Sequence, residues 1–226
     1  MSSRAVVIPA LNEEEALPEV LRDLARWAPD AHVVVVDNGS TDRTAERAEA
    51  LGATVVHQPR RGYGSACLAG FARLSLDPPD IVVVMDGDNS DFAEDLDSLT
   101  APIARGDADM VLGERISQGD RGSLLPNQRF GNWLATRLIR LHTGHRYADM
   151  GPFRAMRWTS LQRLRMEDPA FGWNVEMQMK AVQRDLRIQE VPVRYRSRIG
   201  QSKISGTVRG TVKAGIGILR ATWRYR

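Results

Sequence analysis

The sequence predicts an α/β fold built on a mostly parallel sheet flanked by helices. Short apolar runs alternate with segments of helical spacing up to Leu112, the signature of consecutive βαβ units. The runs are apolar at successive positions rather than at every second one, as strands covered on both faces require. The segments that follow four of them are rich in Asp, Asn, Ser, Gly or Glu, which places polar loops on one rim of the sheet.

Residues 5–8, Ala-Val-Val-Ile, form the first strand and stop at Pro9. A helix over 13–27 follows, with Leu17, Val20, Leu21 and Leu24 on one face. Residues 32–36 are the second strand. Asp42 is placed to cap a helix that runs to Leu51 and stops at Gly52. A third strand over 54–56, a helix over 65–76, a fourth strand over 81–85, a helix over 94–105 and a fifth strand over 109–112 complete the alternation. Beyond Gly113 the pattern breaks. Helices are expected over 129–142 and 173–184, and a strand over 188–195 whose Pro192 favours a sheet edge.

A chain of 226 residues fits one large domain, and no composition shift marks a second boundary. The single cysteine, Cys67, excludes an internal disulfide framework and suits a reducing compartment. The first residues run straight into a strand without a charged-then-apolar leader, and no apolar run approaches the ~20 residues that span a bilayer. A cytoplasmic protein is therefore expected. The net charge of +3 is unevenly spread, with Arg and Lys concentrated over 184–226. Such a region suits phosphate-bearing substrates or anionic lipid. With 6% aromatic residues and no RNA-stacking strand motif, nucleic acid is not an expected partner.

In parallel sheets ligands bind beyond the carboxyl ends of the strands. That rule gathers the loops 9–14, 37–42, 60–66 and 86–91 into one site. Asp86 and Asp88 flank Gly87 directly after the fourth apolar run, and a turn there can aim both carboxylates at one ion. Hard oxygen ligands suit Mg²⁺ or Mn²⁺, which bridge diphosphate oxygens and stabilise a departing nucleoside diphosphate. Alone, Asp-x-Asp reads better as turn and helix capping than as a metal site. Its place in the βαβ array is what gives it weight.

Several motifs in register resemble one family. They are Ile8-Pro9-Ala10-Leu11-Asn12-Glu13-Glu14, Val36-Asp37-Asn38-Gly39-Ser40-Thr41-Asp42-Arg43-Thr44, Gly62-Tyr63-Gly64-Ser65-Ala66, Asp86-Gly87-Asp88, Gly113-Glu114-Arg115, the 149–154 segment and Arg198-Ile199-Gly200-Gln201-Ser202-Lys203. Over most of its length the chain resembles family 2 glycosyltransferases of the glycosyltransferase A fold, and within them the dolichyl- or polyprenyl-phosphate mannose and glucose synthases. The resemblance implies a catalytic domain over 1–205, and the spacing and charge of the remaining residues predict a basic amphipathic helix over 206–226.

It also implies roles. Pro9, Ala10, Asn12, Glu13 and Glu14 would seat the nucleoside of a nucleotide-sugar donor. Asp37 would contact base or ribose, while Asn38, where relatives often carry a second aspartate, is either a contact or a turn residue. Arg61 and Gly64 would border the donor, since glycine permits close backbone approach and a helix N-terminus favours anions. Asp86, Gly87 and Asp88 would bind metal and donor. Arg115 would pair with phosphate, and Arg198, Ser202 and Lys203 would cover the diphosphate. Asp149 would act as base toward a hydroxyl acceptor, or orient the reactants where the acceptor is an already anionic phosphate. Glu176 matches an acidic position of the family or is a solvent-facing helical residue. His142 and His145 receive no role.

From Val208, the residues Val208, Val212, Ile216, Leu219 and Trp223 form a helical stripe beside Arg209, Lys213, Arg220 and Arg224. The stripe suits an interfacial membrane helix, packing on the catalytic domain, or a homodimer contact. The expected activity is an inverting, metal-dependent transfer of a hexose from a UDP- or GDP-sugar to a polyprenyl phosphate. A soluble hydroxyl acceptor, or a non-catalytic nucleotide-binding or membrane-docking subunit, is the alternative.

Overall fold

The computed structural model describes residues 2–118, 126–170, 172–200 and 208–226. Strands β1 (Arg4–Ala10), β2 (His32–Asp37), β3 (Thr54–His57), β4 (Ile81–Val84), β5 (Met110–Glu114), β6 (Arg154–Arg157) and β7 (Ile188–Pro192) form one sheet in the order β3-β2-β1-β4-β6-β5-β7. Every pairing is parallel except those of β6, which runs antiparallel between β4 and β5. The sheet is thus mostly parallel, and Pro192 ends the edge strand β7 as its missing N–H demands.

Helices α1 (Leu17–Trp27), α2 (Thr44–Ala50) and α4 (Leu96–Ala104) share one core with Val6, Ile8, Val35, Ile81 and Val83. Helices α3 (Tyr63–Leu74), α5 (Pro126–Thr143), α6 (Trp158–Leu164), α7 (Trp173–Gln183) and α8 (Val208–Arg224) belong with Ala5, Val7, Val34, Val36, Val82 and Val84 on the other face. Alternate residues of each strand enter opposite cores, which is why the runs are apolar at every position.

Three elements depart from expectation. Strand β6 and helix α6 fall where no regular element was predicted, because Arg-Ala-Met-Arg has no apolar run. Arg154 is nonetheless buried, and its guanidinium donates to the carbonyls of Met150, Gly151 and Pro152. Helix α1 starts at Leu17 instead of residue 13. The intervening N–H groups are held by another loop, Glu13 N–H donating to Thr44 Oγ1 (2.8 Å) and Glu14 N–H to Asp42 Oδ2 (3.2 Å). The remaining boundaries shift by a few residues at most, as helix ends commonly do.

Helix α8 packs on α5 and α7, burying Ala221, Thr222 and Tyr225. Its predicted stripe lies elsewhere: Ile216, Leu219 and Trp223 are exposed.

Candidate active site

The first three rim loops are tied into one unit by side chains that satisfy neighbouring backbone. Asn12 takes a left-handed conformation (φ 53°), tolerated by Asn, and its Oδ1 accepts Thr41 N–H at 2.8 Å. The buried Asn38 donates to the carbonyls of Gln58 (2.9 Å) and Arg60 (2.8 Å), and its Oδ1 accepts Gly62 N–H at 2.7 Å. Asn38 is therefore the brace between the second and third loops. The Asp37 carboxylate accepts Ser40 N–H at 3.0 Å and lies 3.3 Å from His57 Nδ1.

Beside this unit stands an acidic cluster. Asp88 Oδ1 accepts both the N–H (3.0 Å) and the hydroxyl (2.5 Å) of Ser90, and its Oδ2 meets Arg198 Nη1 at 3.1 Å. Asp91, which had drawn no assignment, is buried. Its Oδ2 accepts Asp86 N–H at 3.3 Å, and its Oδ1 has no hydrogen-bond partner among the described residues. Burial, then the charge of Asp88, pushes the Asp91 carboxyl up to about 7. Burial, followed by repulsion from Asp88 and Asp91, holds the Asp86 carboxyl well above its usual range. The crowding of Asp86, Asp88 and Asp91 concentrates negative charge that a hard dication held by the Asp86 and Asp88 carboxylates would offset. Among the described residues no group of three or more His, Cys, Asp or Glu side chains is arranged to hold a metal ion. Two carboxylates plus substrate oxygens and water are what Mg²⁺-type sites use.

Arg198 spans the gap to the first loop. Its Nη2 lies 2.7 Å from Glu13 Oε1 while Nη1 meets Asp88. The pairing of the 195–199 segment with the acidic loop sets this position: Asp91 and Tyr195 form a bridge, Arg196 N–H donates to Ser90 O, and Ile199 N–H to Asp88 O. An arginine 110 positions from Asp88 in sequence is thereby built into the same site.

These groups enclose a cavity of about 380 Å³, within the range of small-molecule sites. Pro9, Ala10, Glu13, Asn38, Arg61, Asp86, Gly87, Asp88 and Arg198 all line it. Leu11, Gly62, Tyr63, Ala66 and Ala170, to which the sequence assigns no role, complete it. The sequence profile of glycosyl transferase family 2 matches residues 5–165, the stretch that carries the rim loops and the acidic cluster. The chain belongs to glycosyl transferase family 2.

Its relatives agree with that membership. A glycosyltransferase of Mycobacterium tuberculosis without assigned activity is 41% identical over 213 residues, covering 92% of this chain and 93% of its own. The undecaprenyl-phosphate mannosyltransferase of Micrococcus luteus is 32% identical over 217 residues, covering 90% and 88%. Among solved structures, glucosyl-3-phosphoglycerate synthase from Mycobacterium tuberculosis, in complex with Mn²⁺, UDP-glucose and phosphoglyceric acid, superposes with a TM-score of 0.77 at 23% identity, covering 98% of this chain and 80% of that one. That likeness establishes the glycosyltransferase A-type fold.

In this family 2 glycosyltransferase the remaining predicted residues lie off the cavity wall. Asn12, Glu14 and Asp37 hold the loops behind it: Glu14 Oε2 lies 3.3 Å from Arg43 Nε, and Glu14 O accepts from Arg47. Arg115 and Asp149 take each other. Nε and Nη2 of Arg115 donate to the two Asp149 oxygens at 2.7 and 2.8 Å, and Arg115 N–H adds a third bond at 3.0 Å. Asp149 is 0% exposed, and Arg115 also lies over the Tyr195 ring. Burial alone would raise the Asp149 carboxyl. The Arg115 hydrogen bonds and charge outweigh it and leave the group below its ordinary value. The His145 and Tyr147 rings lie 4.5 Å apart at a tilt of 53°, and the histidines join no metal cluster among the described residues. Ser202 and Lys203 lie outside the described residues.

Glu176 is wholly buried, not solvent-facing. It accepts the N–H groups of Glu167 (2.8 Å) and Asp168 (2.7 Å) and pairs with Lys180 at 2.6 Å. It thus fixes the loop before α7, whose Pro169 carbonyl accepts Ser65 N–H at 2.9 Å at the start of α3. This contact explains Gly62 and Gly64. A Cβ on Gly64 would lie 1.9 Å from Asp168 O, and one on Gly62 2.1 Å from Pro169 O. The close approach that Gly64 permits is to protein backbone, not to the cavity. Gly64→Ala is expected to cost about 1–3 kcal/mol, because the obstructing atoms are main chain and cannot swing aside. Urea unfolding measures this, and a loss below about 0.5 kcal/mol, the ordinary scatter of surface changes, would contradict the packing.

Proposed function

We propose that this glycosyltransferase moves a hexose from a UDP- or GDP-sugar to a polyprenyl phosphate by a single inverting displacement. The observation that carries the reading is the lining of one cavity by the carboxylates Asp86 and Asp88 together with the guanidinium groups of Arg61 and Arg198, the latter 3.1 Å from Asp88. Such a site offers anchorage for a diphosphate bridged to a divalent cation. Mg²⁺ or Mn²⁺ on Asp86 and Asp88 would supply Lewis-acid neutralisation of the leaving nucleoside diphosphate.

The chain's own groups divide the remaining work. Pro9, Ala10 and Glu13 border the nucleoside end, with Asn38 holding the second loop against the third. Arg198 is poised to exchange Asp88 and Glu13 for donor oxygens, which a guanidinium fork matches well. Arg115 is committed to Asp149 and is best assigned to shaping the rim. An Asp149 with a depressed pKa and occupied oxygens is a poor base. A phosphate acceptor needs none, being anionic near pH 7, whereas a hydroxyl acceptor must lose a proton. The nature of Asp149 thus favours phosphate over hydroxyl.

Incubation with labelled UDP- and GDP-hexoses, Mn²⁺ and a polyprenyl phosphate tests the reading. Label from one donor is expected to pass into the organic phase as a mild-acid-labile phosphodiester. Transfer to a water-soluble acceptor with none to the lipid would replace it with the hydroxyl-acceptor alternative.

A further inference from the structure

Helices α5 and α8 carry a surface that the catalytic site does not use. On α5, Phe130 is 60% and Trp133 55% exposed, their rings 5.9 Å apart, and Leu141 is exposed further along. Arg129, Arg137 and Arg140 are exposed on the same helix and form no salt bridge with the described residues. On α8, which packs against α5, Ile216, Leu219 and Trp223 are exposed beside Arg220.

The charge of these helices is one-sided. Together their sequences hold seven Arg and Lys and no Asp or Glu. The whole chain is +3, so the rest of it carries 3 − 7 = −4. Arg224 of α8 pairs with Glu167 at 3.3 Å, but a second copy meeting this face by two-fold symmetry would still set the arginines of α5, unpaired among the described residues, against one another. A surface of anionic headgroups complements the arginines, and Trp, Phe and Leu at its level enter the interface.

The surface is also tied to the site. Between Phe130 and Trp133, Asn132 Oδ1 accepts Met150 N–H at 2.7 Å, in the turn that begins at Asp149 and its partner Arg115. We propose that the exposed face of α5, extended by α8, docks on an anionic lipid bilayer. It would bring the Asp149 side of the rim to the membrane. The biological purpose rests on the lipid-acceptor reading, but docking itself does not require acceptor or donor.

Co-sedimentation of the full chain with vesicles separates the two ideas, because no sugar is present. Binding is expected to vesicles of equal parts phosphatidylcholine and phosphatidylglycerol, to weaken with salt, and to be far weaker on phosphatidylcholine alone. The double variant Arg137→Gln/Arg140→Gln is expected to bind about thirtyfold more weakly, the loss for two cations at such a surface. Phe130→Ser/Trp133→Ser is expected to lose binding on both charged and neutral vesicles, with circular dichroism melts reporting that both variants fold. The proposal is overturned if the parent fails to sediment with charged vesicles, or if folded α5 variants bind as the parent does. It is overturned equally if sedimentation velocity shows a dimer that the aromatic variant dissolves.

Discussion

Arg115→Met is expected to destabilise the protein by about 3–5 kcal/mol, the typical cost of stripping one partner from a buried ion pair. Asp149 would keep Met150 N–H and the Arg115 backbone N–H but lose both guanidinium bonds, at a position with no exposure to solvent. Its carboxylate, now held below its usual pKa by Arg115, would have burial acting without that compensation. The pair stands or falls together: Arg115→Met with Asp149→Leu should recover much of the loss, because no charge is left stranded. Denaturant unfolding of the two single variants and the double completes the cycle. Additive losses would mean that the pair is not the unit described, and a single-variant loss under about 1 kcal/mol would place the residue at the surface.

That pair shows where sequence reading reaches its limit. Arg115 and Asp149 were both marked, each for a separate task, and nothing local joins two residues 34 positions apart on a strand end and a turn. The same holds for Glu176, whose helical spacing is equally compatible with solvent and with its actual place beneath a loop. Interactions of this kind are tertiary and leave no periodic trace.

What was legible was what repeats or clusters. Strands β1, β2 and β4 announce themselves because a strand covered on both faces is apolar at every step. The rim followed, since parallel strands end on one side and polar loops gather there. By contrast, β6 was illegible: its two arginines hide a strand whose first residue satisfies its charge on carbonyls of the preceding turn. Glycines gave a half-right signal. At 62 and 64 they mark a close approach, but only the packed loop at 168–170 reveals what approaches.

Asp88→Asn is expected to lower turnover by about a thousandfold or more while leaving the fold intact. Loss of charge neutralisation on a departing diphosphate is worth several kcal/mol in the transition state, and about 4 kcal/mol is a factor of a thousand. The structural cost is small for a stated reason. Asparagine keeps an oxygen for Ser90 N–H and Oγ, so the turn after β4 survives. The pairing with Arg198 weakens, but Arg198 retains Glu13 at 2.7 Å. Removing one of three crowded carboxylates also relieves the repulsion that raises Asp86 and Asp91. These effects oppose each other, and the melting temperature is expected to stay within about 4 °C of the parent, the shift a net 1 kcal/mol makes in a domain of this size. The informative readout is Mn²⁺-dependence of nucleoside diphosphate binding, followed by calorimetry. The parent is expected to bind more tightly with Mn²⁺, and the variant to bind equally with and without it. A folded Asp88→Asn that keeps both turnover and the Mn²⁺ effect would remove the acidic triplet from the chemistry and return it to turn capping.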